Sequence, residues 1–254
     1  NTNKNVLLGA DIPNKKNLDY ALGHELDGGF QKYLEISKKN FRNIPHFITS
    51  KKINFDYASL CEPLACCLNG FNKINFRKNK TVIIFGAGPI GQLIALICLY
   101  NKASKICIVD NNNDKLKIGI KNKKVNKINL KKFKQIKENL SFDYGFVACS
   151  SGKAQNEILG VMKENSTVNY FAGIKSKKKV NLVPINTNLI HYKKINIVGS
   201  HGSTAENINE AAKLIINKKI NFNDIITKSY NINKYKEAFN NLKKGKALKV
   251  IIRP

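Results

Sequence analysis

Residues 81–100, TVIIFGAGPIGQLIALICLY, constrain the fold more than any other stretch of the chain. A continuous apolar run, as expected of a strand buried on both faces, leads into Gly86-x-Gly88-x-x-Gly91. A helical pattern begins where the glycines end. In such a turn Gly86 permits the sharp change of direction, Gly88 lets backbone approach a pyrophosphate, and Gly91 lets the helix pack close to the strand. Pro89 and Ile90 open the helix, whose first N–H groups and positive dipole end favour phosphate. A glycine-rich turn alone says little. Here a strand before, a helix after and an acid at the end of the next strand coincide. That acid is Asp110, which closes KICIVD at roughly the 20-residue spacing of dinucleotide-binding turns. A carboxylate there accepts hydrogen bonds from the adenosine ribose hydroxyls and repels a 2′-phosphate, so the expected cofactor is NAD, while Lys115 leaves NADP open. Asp110 is also placed to cap the helix opening NNNDKL, and the two roles are compatible.

The middle of the chain keeps this alternation. KICIVD and FDYGFVACS read as strands, NNNDKLKIGIKN and AQNEILGVM as helices, and STVNYFAG and KINIVGS close the series. Strands alternating with helices specify the α/β class, a doubly wound parallel (Rossmann) sheet with right-handed crossovers. Upstream, GGFQKYLEIS alternates enough to suggest a strand and NFRNIPHFITS an extended segment. DYASLCEPLACCLNGFNKI turns helical, with Leu64, Leu68 and Phe71 on one face and Pro63 in the first turn. Downstream, Thr204 starts a helix whose apolar face is Ile208, Ala211, Ala212 and Ile215. DIITKSYNI is strand-like, and KYKEAFNNLKKGKALKVIIRP reads as a helix, a stop at Gly245 and a final strand.

The chain has 254 residues and is 43% hydrophobic, enough for one large domain or two small ones. No apolar run reaches the ~18 residues of a membrane span, and no charged-then-apolar leader opens the chain. A net charge of +27 suggests a nucleic-acid binder. The basic residues, however, are nearly all Lys, interspersed with Asn throughout, as an A/T-rich coding sequence would produce. A dedicated phosphate-binding face favours Arg with aromatics for stacking. No specific nucleic-acid partner is therefore expected, only weak attraction to polyanions at low salt. The six cysteines form no C-x-x-C, and Cys98, Cys107 and Cys149 lie in apolar runs, which reads as reduced core residues in a cytoplasmic protein.

DGGFQKY, CEPLACCLNGFNK, VIIFGAGPIGQLIA, KICIVDNNNDKL, IHYKKINIVGSHGST and YKEAFNNLKKGKALKVIIRP follow one another from Asp27 to the C-terminus. Their order and spacing resemble the zinc-dependent medium-chain dehydrogenase/reductase family, in particular its sorbitol (iditol) and threonine dehydrogenase-like branch. The resemblance implies part of a catalytic domain with a chaperonin-10-like barrel at 1–62, a dinucleotide-binding domain at 63–200, and a return to the catalytic domain at 201–254. It implies hydride transfer between a secondary alcohol (a polyol, sugar or sugar phosphate) and NAD, with zinc polarising the alcohol. It implies a homo-oligomer joined at sheet edges, with KINIVGS as the edge strand. It also places Ser150, Gly173, Gly199 and Ser200, at strand ends, on the nicotinamide half of the cofactor. Lys249 is implied to face the pyrophosphate, and reads equally as one solvated lysine among many.

The metal site departs from the family pattern. Glu62 of CEPLA is implied to lie beside the zinc, with a catalytic role as ligand or water partner; it is also an acid favoured at a helix N-terminus. Alone it cannot hold zinc, which takes three protein ligands in catalytic sites. In the family a catalytic Cys and a Gly-His-Glu lie well upstream of DGGF. Here no Cys precedes Cys61, and Gly23-His24-Glu25 stands immediately before Asp27-Gly28-Gly29-Phe30. The interval from Asp27 to Glu62 fits the family, so DGGF is the landmark in place and His24 and Glu25 are not expected to be ligands. His46, His191 and His201 form no Cys/His/Glu cluster in the sequence. The expectation is an incomplete zinc site, through N-terminal truncation or an internal deletion that joined Gly-His-Glu to DGGF. The alternative function is an inactive protein that still binds NAD.

Overall fold

The computed structural model describes residues 5–8, 23, 26–38, 41, 46–49, 52–174 and 182–254. The chain divides into two compact units, residues 70–201 and residues 1–69 together with 202–254.

In the first segment of the divided unit, β1 (Asn5–Leu8) pairs antiparallel with β2 (His46–Thr49). Asn54 begins α1 (Phe55–Ala58) because its side chain accepts the Asp56 and Tyr57 N–H groups. α2 (Cys61–Asn72) follows, with Leu64, Ala65 and Leu68 turned into the core. The strand expected over GGFQKYLEIS does not form. Gly23 N–H bonds to the Leu26 carbonyl and the Gln31 amide to the Gly28 carbonyl, which are local turn contacts, and residues 28–37 lack strand pairing. Leu34 and Ile36 are half-buried but Phe30 and Tyr33 are exposed, so the alternation covers its apolar side only in part.

The contiguous unit is a six-stranded parallel sheet. Its strands are β3 (Thr81–Phe85), β4 (Lys105–Asp110), β5 (Val125–Asn129), β6 (Phe142–Val147), β7 (Met162–Tyr170) and β8 (Asn196–Gly199), in the order β5-β4-β3-β6-β7-β8. This is the doubly wound order, with central strands β3, β4 and β6 buried almost throughout. The connecting helices are α3 (Pro89–Tyr100), α4 (Asn113–Lys117), α5 (Leu130–Ile136), α6 (Gly152–Gly160) and α7 (Thr187–Lys193). On one side of the sheet Phe85 and Phe133 meet edge-to-face at 5.1 Å, within a cluster that includes Val109, Ile128 and Ile158. β5, α5 and α7 escaped the sequence reading because each is short and carries little apolar periodicity; β5 reads VNKIN. β7 is irregular: Phe142 pairs with Met162 but Tyr144 with Thr167, and Asn165 in the excursion has φ +55°.

Residues 202–254 return to the divided unit. Thr204 and Asn207 form a reciprocal capping box at α8 (Ala205–Ile216). β9 (Ile226–Asn231), α9 (Tyr235–Lys243) and β10 (Lys249–Arg253) follow, with β10 parallel to β9 and Gly245 in a left-handed turn at φ +67°. Arg253 grips the Asp56 carboxylate with two nitrogens, at 2.6 and 3.2 Å, which ties the two segments of this unit together. Among the described residues no helix is long and apolar enough to cross a membrane.

Candidate functional site

The glycine turn has the geometry its sequence demands. Gly86 takes φ +116°, and a Cβ there would lie 2.9 Å from the Ala148 carbonyl oxygen. At Gly91 a Cβ would fall 1.9 Å from the Gly86 carbonyl oxygen, so the helix approaches the strand only because that atom is missing. Around Gly88 a Cβ would meet nothing within 4 Å, which leaves open space above the backbone at the start of α3. No side chain caps this helix end, and Pro89 supplies its first turn. Ile90 and Gly91 complete that turn.

Asp110 closes β4 beside the turn. One carboxylate oxygen accepts the Ala87 N–H at 2.7 Å and the other accepts the Asn112 N–H at 2.8 Å. Asn112, rather than Asp110, caps α4. Gly86, Asp110, Lys115, Cys149 and Ser150 share one cavity of about 410 Å³. Lys134 and Glu157, ion-paired at 3.5 Å, lie in its wall. Cys149 is only partly buried, against the expectation of a core residue, because it sits past the end of β6 where the strand gives way to the cavity. Burial, with the Asp110 charge adding to it, pushes its thiol up to about 11. Cys98 and Cys107 are buried as expected, and none of the six cysteines is in a disulfide.

Two buried amides hold the strand ends, and the sequence reading passed over both. Gln92 is fully buried; its Nε2 donates to the Ala87 carbonyl at 3.3 Å and its Oε1 accepts the Ile120 N–H at 3.1 Å. Asn169, equally buried on β7, donates to the Gly70 carbonyl at 2.9 Å and accepts the Ser200 hydroxyl at 3.2 Å. The signal was a lone amide inside each apolar run, since buried polar groups must be hydrogen-bonded. Ser200 is thereby fixed just past the carboxyl end of β8. Gly173 and Gly199 also follow or end strands at that end of the sheet, each with open space where a Cβ would be. These are the positions at which doubly wound sheets bind ligands.

Glu62 and Lys249 belong to the divided unit. Glu62 lies in the first turn of α2, and its Oε1 accepts from Cys66 Sγ at 3.0 Å, one helical turn on. Burial and the Glu62 charge push the Cys61 thiol up to about 12. Lys249, at the start of β10, lines a cavity of about 840 Å³ with Asp27, Gly28 and Phe30. His24 and Glu25 lie outside the described residues. Among the described residues no three Cys, His, Asp or Glu side chains converge as a metal site. The donor set around Glu62 therefore does not fit a catalytic zinc.

No established family profile matches the chain. It is 25% identical to a sorbitol dehydrogenase of Halalkalibacterium halodurans, over 92% of this chain and 68% of that protein. It is 26% identical to D-arabinitol dehydrogenase 1 of Uromyces fabae, over 92% of this chain and 67% of that protein. In structure it is similar to the 2R,3R-butanediol dehydrogenase of Bacillus subtilis, with a TM-score of 0.78, 18% identity and coverage of 98% of this chain and 72% of that one. The chain thus spans about two thirds of the length of the curated relatives it matches.

Proposed function

The chain belongs to the zinc-type medium-chain dehydrogenase/reductase family, and on that premise we propose that it is an alcohol or polyol dehydrogenase that uses NAD. The observation that carries the cofactor reading is the pairing of an open Gly88 with Asp110 at the end of the neighbouring strand. In this reading Gly88, Ile90 and Gly91 hold the pyrophosphate at the start of α3, and Asp110 holds the adenosine ribose. Ser150, Gly173, Gly199 and Ser200 take the nicotinamide half, and Lys249 offsets phosphate charge. When bound, the cofactor supplies the hydride acceptor or donor. The secondary alcohol is a polyol, sugar or sugar phosphate, and Glu62 is assigned the carboxylate on the substrate side. The described residues offer no fitting zinc site. Copies of the chain pair through β8, which lies at one edge of the sheet. Six cysteines outside any disulfide support a cytoplasmic setting.

NAD is preferred over NADP because Asp110 brings a negative charge to the ribose position, against which Lys115 and Lys134 act in the same cavity. The test is a fluorescence titration with NADH and with NADPH. NADH should bind more tightly, and Asp110→Ala should narrow the difference. Failure to bind either cofactor would sink the reading. A screen of polyols with NAD then separates it from a second one, an NAD-binding protein without hydride chemistry. That second reading is favoured by the lack of a convergent metal-ligand set among the described residues.

A further inference from the structure

At the opposite end of β3 from the glycine turn lies a further cavity, of about 690 Å³, whose lining shares no residue with the cavity beside Asp110. It opens where the chain enters the sheet, at Lys80 before β3 and Asp143 on β6, and the excursion in β7 forms one wall. With β3 five residues long, the two ends of the strand are about 17 Å apart by the usual rise. Its charges do not cancel. Asp143 is already neutralised: it accepts the Thr81 N–H at 2.9 Å and hydroxyl at 2.8 Å, Lys163 at 3.1 Å and Lys80 at 3.4 Å. Lys73 and Arg77 line the cavity and have no acidic partner among the described residues, with Glu164 as the other carboxylate in the lining. The wall also holds Ser166, which is 2% exposed. Its hydroxyl is the one buried side-chain oxygen or nitrogen among the described residues without a hydrogen-bond partner.

From this convergence we infer an anion-binding site, distinct from the cofactor turn, that takes a small molecule bearing a phosphate or pyrophosphate group. Arg77 and Lys73 supply the charge-assisted hydrogen bonds. The irregularity of β7 at Asn165 carries Ser166 to this wall while the strand resumes its pairing at Thr167.

The experiment is calorimetric titration of inorganic pyrophosphate into the Gly88→Val chain at about 0.15 M salt, where attraction between distant surface charges is largely screened. The valine closes the cofactor turn to the probe. One saturable site is expected. Arg77→Gln or Lys73→Gln in that background should weaken it about tenfold or more, as loss of a charge-assisted hydrogen bond does. Lys219→Gln, an exposed lysine of the other unit, should leave it unchanged. Absence of a saturable site would overturn the inference, and so would equal losses in Arg77→Gln and Lys219→Gln, which would mean a response to net charge alone.

Discussion

The Gln92 side-chain oxygen accepts the backbone N–H of Ile120, 28 positions further along the chain, at 3.1 Å. The same amide donates to the Ala87 carbonyl, while the Ala87 N–H goes to Asp110. The peptide units around Ala87 are thus held from both sides, and with them the turn that leads to Gly88. Gln92→Leu keeps the volume and removes both bonds. Leaving the Ile120 N–H and Ala87 carbonyl unpaired in a buried site should cost about 1–3 kcal/mol in a urea titration. NADH affinity should fall several-fold in the folded fraction, because the turn loses its fixed orientation.

Gly91 and Gly88 make opposite predictions although both belong to one motif. Gly91→Ala places a carbon 1.9 Å from a backbone oxygen, so α3 must move off β3 and the melting temperature should drop by several degrees. Gly88→Val points into open space, so stability should change by less than about 1 kcal/mol. NADH binding should nevertheless vanish. Parallel thermal melts and fluorescence titrations distinguish a glycine needed by the fold from one needed by the ligand.

Cys149 is a reporter of cavity occupancy. With its thiol held up to about 11, little thiolate exists near neutral pH, and alkylation by iodoacetamide should be slow and accelerate as pH rises toward that value. Saturating NADH should protect it, since it shares its cavity with Gly86 and Asp110. Peptide mapping by mass spectrometry separates it from Cys66, the other partly exposed thiol. Equal labelling with and without NADH would argue against cofactor in this cavity.

Asp143 should govern acid stability of the sheet. Burial alone would raise its carboxyl pKa, but the Thr81 N–H and hydroxyl and the Lys163 ammonium outweigh burial and bring it from 3.8 to about 2. The unfolded chain therefore binds more protons than the folded one between those values. The stabilisation is present above 3.8 and is lost as pH falls toward about 2. Asp143→Asn should be less stable by about 1–2 kcal/mol at pH 6, with the gap to the parent closing on acidification. Urea midpoints of both chains across that range measure the difference.

The central sheet was legible because its signals are local and redundant. TVIIF and KICIVD can be buried only between neighbours, and the glycines between TVIIF and α3 fit one kind of turn. Thr204 and Gly245 likewise marked a helix start and a helix stop that the fold contains. What could not be read depends on residues far apart. Gln92 and Asn169 look like unremarkable amides until their partners at Ile120 and Gly70 arrive from elsewhere in the chain. Alternation over GGFQKYLEIS suggested a strand, but alternation specifies one only when another surface covers the apolar side, and Phe30 and Tyr33 remain exposed. The cavity at Lys73 and Arg77 depends on an excursion in β7 that no periodicity announces.

Residues 70–201 form one unit without interruption, whereas the other unit is assembled from residues on both sides of it. During synthesis the parallel sheet can close as soon as its last strand, Asn196–Gly199, leaves the ribosome. Its companion must keep Cys61 to Asn69 waiting until Asp56 meets Arg253 and Tyr57 meets Asn221 and Asn223, some 160 to 200 positions later. The order of birth along the chain thus gives the cofactor half a head start, and the half that carries Glu62 closes only once the last residues have been added.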